Sequence, residues 1–197
     1  MELTEIHKNV KAIVAPSRSA WREWLANHHD TEKSVWLIIY KKESGTPSVY
    51  YPEAVDEALC FGWVDSSIAK RDEKSYYQYF AKRNPKSNWS KVNKNKIEYL
   101  SQQGLMHPAG IAMVELAKKT GTWMALEDVD NLVVPKEMES LLETEPEAQR
   151  NWEAFSASTR RGILEWIFNA KKPETKTKRI RETVTLAAQN IKVFFKA

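Results

Sequence analysis

Ala58-Leu59-Cys60-Phe61-Gly62-Trp63-Val64-Asp65-Ser66 is the stretch on which the architecture turns. The apolar run to Cys60 follows Pro52, a residue suited to the first turn of a helix, and Gly62 supplies a helix stop. From Trp63 the pattern becomes extended. Residues 63–69 and 76–81 read as two strands around a polar turn at 70–75. Upstream, Val35-Trp36-Leu37-Ile38-Ile39-Tyr40 is β-branched and aromatic and fits a buried strand, with Val49-Tyr50 as a short returning partner. Before it, Trp21, Trp24, Leu25 and His28 recur at helical spacing and predict a helix over 19–28. Strands and helices in this order give an α+β fold, a small antiparallel sheet packed with helices.

Downstream the chain reads as helix alone. Ser90 is an N-cap for a helix to Gln103, with Gly104 as its stop, and Pro108 opens another that ends at Gly121. The acidic, turn-rich stretch 122–134 divides an α+β domain, 1–130, from a C-terminal helical module, 131–197. In that module Pro135 begins a short helix. Thr144-Glu145-Pro146-Glu147 reads as a capping box ahead of Trp152 and Phe155. Ser158 starts a third helix carrying Ile163, Leu164 and Ile167, and a fourth follows Pro173. Short connections predict an antiparallel bundle.

Composition narrows the class. The 197 residues are 42% hydrophobic with eight Trp, enough for a true core, and six Gly and eight Pro exclude low-complexity character. One cysteine excludes an internal disulfide. The first fourteen residues lack the apolar core of a signal peptide, and no apolar run is long enough to span a bilayer. A cytoplasmic, soluble setting is the expectation. Net charge is only +4, but it is unevenly spread. Residues 82–98 hold six bases and one acid, 127–153 nine acids and two bases, and 156–197 ten bases and three acids. Complementary rims of packed helices explain such blocks, and so do binding faces.

One region combines aromatic walls with oriented polar groups, as ligand sites do. Trp63, Asp65, Ser66, Lys70, Arg83, Ser87, Trp89 and Ser90 are its candidate ligand-binding residues, with Tyr77 and Tyr79 as further walls. Arg83 offers a planar fork to a carboxylate or phosphate, and Ser90 opens a helix whose N-terminus favours an anion. On the structural reading Asp65 caps the turn or pairs with Arg83. On a catalytic reading Asp65, Lys70 and Arg83 form an enzyme pocket. A third reading takes the basic residues from Lys82 to Lys96, with the C-terminal basic helix, as a nucleic-acid face. Glu53, Glu57 and Cys60 share one side of their helix, and neighbouring carboxylates make Cys60 a poor nucleophile, so a buried structural thiol is expected. The four histidines are scattered, with no metal-ligand spacing. There is no phosphate-binding Gly-rich loop and no Gly-x-Ser-x-Gly elbow, so no metal or cofactor is expected and no catalytic residue is assigned.

Several segments are similar to the YdeI/OmpD-associated, or bacteriocin-protection, family. They are Trp21-Arg22-Glu23-Trp24-Leu25, Val35-Trp36-Leu37, the run from Glu53 through Ser66, Pro85-Lys86-Ser87-Asn88-Trp89-Ser90-Lys91-Val92-Asn93 and Gly121-Thr122-Trp123. In the C-terminal module they are Val134-Pro135, Trp166-Ile167, Ala170-Lys171-Lys172 and Lys178-Arg179-Ile180. Where such proteins read Phe-Thr-Pro-Arg, this chain has Phe80-Ala81-Lys82-Arg83. The family's name implies stress or toxin tolerance, or association with a porin, and the resemblance carries no catalytic residues with it. The expected function is binding of a small anionic ligand or a protein partner.

Overall fold

The structure, a computed structural model, describes residues 5–193. It divides between Trp123 and Met124 into two compact units. The first unit runs β1 (Glu5–His7), β2 (Val10–Val14), α1 (Arg18–His28), β3 (Ser34–Tyr40), α2 (Tyr51–Cys60), β4 (Trp63–Lys70), β5 (Ser75–Lys82), α3 (Lys91–Gln102) and α4 (Pro108–Thr120). The strands form one sheet in the order β1-β2-β3-β5-β4.

The fold is α+β, as the sequence implies, but the sheet is mixed. β2 and β3 are parallel, Ala12 opposite Trp36, and the other pairs are antiparallel. The cause is α1, which lies between β2 and β3 in the chain and returns it in the same direction, the usual way to join parallel neighbours. Val49-Tyr50 is not a strand. The Val49 amide instead donates to the Ala15 carbonyl at 2.9 Å, just beyond the end of β2.

Alternation along each strand separates two faces. One face, with Ile13, Leu37, Ile39 and Phe80, meets Trp21, Leu25, Leu59, Trp89 and Leu100 in the main core. Burying each such side chain contributes roughly 1.5–3 kcal/mol, so this face dominates the unit's stability. The other face carries Ala12, Trp36 and Ile38 under Tyr40, Tyr77 and Tyr79, a layer made of strand residues.

The second unit holds α5 (Glu127–Asp130), α6 (Lys136–Thr144), α7 (Pro146–Ala154), α8 (Ala157–Phe168) and α9 (Pro173–Ala188). Met138, Trp152, Ile163, Leu164, Ile167, Ile180 and Ala187 form its core. The expected capping box at 144–147 does not form. The Thr144 hydroxyl turns back to the Leu141 carbonyl at 2.9 Å, and Glu145 takes the N-cap position of α7 without a side-chain cap bond. Ser156, rather than Ser158, caps α8, its Oγ accepting from the Thr159 amide at 3.2 Å. Among the described residues no helix is long and apolar enough to cross a membrane.

Candidate anion-binding site

β5 ends at Lys82, and the next residue, Arg83, still donates its backbone N–H to the Gly62 carbonyl at 3.0 Å. The chain then turns on Asn84. Its side-chain oxygen accepts from the Lys86 amide at 2.9 Å, and its carbonyl accepts from the Ser87 amide at 2.9 Å and hydroxyl at 2.7 Å. Asn84 followed by Pro85 suits such a side-chain-stabilised turn. The turn brings the Asn88 carbonyl back to Arg83 Nη2, which donates to it, and sets Trp89 beneath the guanidinium, 3.7 Å from its ring centre. Ser90 then caps α3, its Oγ accepting from the Asn93 amide at 3.3 Å.

Arg83 is only 5% exposed. Its Nε and Nη1 find no partner, and among the described residues no carboxylate pairs with it. Burial lowers the guanidinium pKa to about 10, which leaves it charged at neutral pH. Stacking a desolvated cation on an indole is worth about 2 kcal/mol, whereas burying an unpaired charge costs several. Trp89 and one carbonyl therefore offset only part of the cost.

The other predicted residues lie elsewhere. Trp63 is core, its Nε1 donating to the His29 carbonyl at 3.2 Å. Asp65 does not pair with Arg83; it accepts from the Tyr51 hydroxyl at 2.7 Å. Burial first, and then this carboxylate, push the Tyr51 phenol up to about 12. Ser66 is exposed within an irregularity of β4 between Asp65 and Ile68. Lys70 is 74% exposed and pairs with Glu73 at 2.7 Å. Its register partner on β5 is Tyr76, so at about 3.3 Å per residue it stands roughly 20 Å along the strand from Arg83. Tyr77 and Tyr79 are on the opposite sheet face, Tyr77 donating to Glu5 at 2.6 Å and Tyr79 edge-on to Trp36. Arg83, Ser87, Trp89 and Ser90 thus share one loop and helix start, while Asp65 and Lys70 do not join them. Of the basic residues expected to form a face, Lys82 donates to the Asp30 carbonyl, Lys96 pairs with Asp56, and Lys86 and Lys91 are exposed.

Sequence reasoning missed a second ionic cluster. Glu57, 2% exposed on α2, is clasped at 2.6 Å by both Arg18 Nε and Arg22 Nη1 from α1. Arg22 Nη2 also donates to the Leu105 carbonyl at 2.8 Å. Arg18 and Arg22 stand one helical turn apart, a legible signal for a shared target. Nearby Cys60 is buried and its thiol is pushed up to about 11, by burial first and Glu57 second. Burial also lowers the His107 pKa, with His29 adding to the effect. Here charge meets charge, and the cluster reads as a clamp between helices. Among the described residues no group of His, Cys, Asp and Glu side chains is arranged to hold a metal ion.

Residues 13–113, just over half of the chain, match the model of a domain of unknown function, DUF8412. The chain belongs to the DUF8412 family. Residues 131–190 match the model of the bacteriocin-protection, YdeI or OmpD-associated family, so the C-terminal module is of that kind. The similarity noted along residues 21–93 therefore falls within the DUF8412 match, and the YdeI/OmpD-associated match lies in the helical unit. No curated protein and no solved structure matches the chain. The Arg83 loop lies in the DUF8412 portion of this two-module protein.

Proposed function

We propose that this protein binds a small anionic ligand at Arg83, and that such binding serves tolerance to a toxin or stress. One observation carries the binding reading: a charged guanidinium, buried against Trp89, with Nε and Nη1 unmatched. Buried charges are ordinarily paired or bound to an ion, so an unpaired one next to a helix start calls for an anion. The start of α3 adds to the reading, because first-turn amides outside the helix's own bonding and the helix dipole favour negative charge there. The tolerance part rests on the description of the C-terminal family as bacteriocin protection.

The test is thermal unfolding of purified protein in a chloride buffer, titrated with a panel of small carboxylates, sulfate and phosphate. Saturable stabilisation in the wild type, absent in Arg83→Met, is the expected result. A response of equal size in both proteins would assign it to general salt effects and end the reading. For tolerance, cells producing wild type or Arg83→Met are challenged with bacteriocin; equal survival would remove that part.

A further inference from the structure

We infer that the anion taken up at Arg83 is a phosphoryl group carrying up to two charges, as in inorganic phosphate or a phosphomonoester; this rests on the reading of Arg83 as the anion-holding group. The ground is a count of donors and charges. Nε contributes one unmatched N–H and Nη1 two, so three guanidinium donors are buried without an acceptor. The guanidinium lies over Trp89 and grips the Asn88 carbonyl, the two residues that lead into the N-cap of α3. At that helix start Ser90 Oγ takes the amide of Asn93, and the amides of Lys91 and Val92 belong to the first turn, where no carbonyl of the helix reaches them.

Two exposed lysines lie in the same stretch of chain. Lys86 sits in the Asn84 turn and Lys91 is the first helical residue, and among the described residues neither forms an ion pair. From residue 82 to 97 the chain carries no acid at all. A single carboxylate brings one charge, spread over two oxygens. A phosphoryl group brings close to two charges and three strong acceptor oxygens. Nε and Nη1 are shut off from solvent, so uptake of the anion requires a local rearrangement around Arg83. Because Trp89 stacks on the Arg83 guanidinium, tryptophan emission, to which it is one of eight contributors, gives a secondary readout of that rearrangement.

The experiment is titration calorimetry with parallel tryptophan emission on the full chain, against four probes. They are inorganic phosphate, glycerol phosphate, succinate and a single-stranded oligothymidylate. Saturable binding of phosphate or glycerol phosphate at least tenfold tighter than succinate is expected. That binding should be lost in Arg83→Met and weakened about threefold by each of Lys86→Gln and Lys91→Gln, exposed changes that leave folding intact. Preference for glycerol phosphate over phosphate assigns the source to an organic phosphomonoester, and the reverse to the free ion. Succinate binding as well as or better than phosphate would overturn the phosphoryl inference and leave the anion reading standing. Tight oligothymidylate binding without phosphate or glycerol phosphate binding would overturn it in favour of a nucleic-acid diester. Binding of none of the four would end both the inference and the reading beneath it.

Discussion

The Arg83 guanidinium lies 3.7 Å from the centre of the Trp89 ring, and its buried Nε and Nη1 have no hydrogen-bond partner. Replacing a buried charge by an apolar side chain of similar length is commonly neutral or stabilising, because desolvation of the charge outweighs what its neighbours return. Arg83→Met should therefore unfold at the same temperature as the wild type or a few degrees higher when no polyvalent anion is present. Differential scanning calorimetry in a chloride buffer measures this. A fall of more than about 5 °C would make Arg83 a structural residue whose stacking and carbonyl contact outweigh its desolvation.

Glu57 is the opposite case, a buried charge fully answered. Glu57→Gln keeps its shape and removes its charge from between Arg18 and Arg22. Breaking a deeply buried pair costs about 3–5 kcal/mol. Here the arginine side chains are 39% and 35% exposed and turn to water, so about 2 kcal/mol is expected. Guanidinium denaturation of the two proteins reads the difference. A change below about 0.5 kcal/mol would show that α1 and α2 are held by apolar packing alone.

Helices whose ends carry an unambiguous local signal were legible. Ser90 caps α3 and Gly121 closes α4 in the left-handed conformation, both as read from the chain. The first two strands were not legible, because β1 has three residues and the turn after it is made by Lys8 and Asn9 at positive φ instead of glycine. The parallel pairing of β2 with β3 depends on where α1 delivers the chain, which no local pattern reports. The candidate site divides the same way. Arg83, Ser87, Trp89 and Ser90 were recognisable as a group because one turn assembles them. The Asp65–Arg83 pair, one of the alternatives the sequence leaves open, does not form, because strand register places Asp65 opposite Phe80 and within reach of Tyr51. The Glu57 clamp joins residues 35 and 39 positions apart, beyond any helical spacing.

Gly110 tests the packing of α4 against α2. A Cβ there would lie 2.1 Å from the Cys60 carbonyl oxygen, which already accepts from the His107 amide at 3.1 Å. Backbone on both sides leaves no flexible end to yield, so Gly110→Ala should cost about 3 kcal/mol. Gly104→Ala is the control. Its φ of +65° strains an alanine, yet nothing lies within 4 Å of the added methyl, so about 1 kcal/mol is expected. Equal losses by circular dichroism would mean that α4 shifts freely on α2.

Cys60 gives the pH dependence. Its thiol is raised from an ordinary value of 9.0 to about 11, burial being the main cause, Glu57 the next, with Arg22 opposing. A raised thiol pKa means that the fold favours the neutral form. As pH climbs past 9 the unfolded chain ionises first and gains stability relative to the native state. The stabilisation is present below pH 9 and is lost as pH rises towards 11. Lysines and tyrosines titrate in the same range, so the comparison is between slopes. From pH 8 to pH 10.5 the denaturation midpoint should fall further in the wild type than in Cys60→Ala. Alkylation at pH 8 gives a second check, because a buried neutral thiol reacts only when the chain opens. Prompt labelling of native protein, or parallel slopes for the two chains, would show that Cys60 is exposed to water and outside the reach of Glu57.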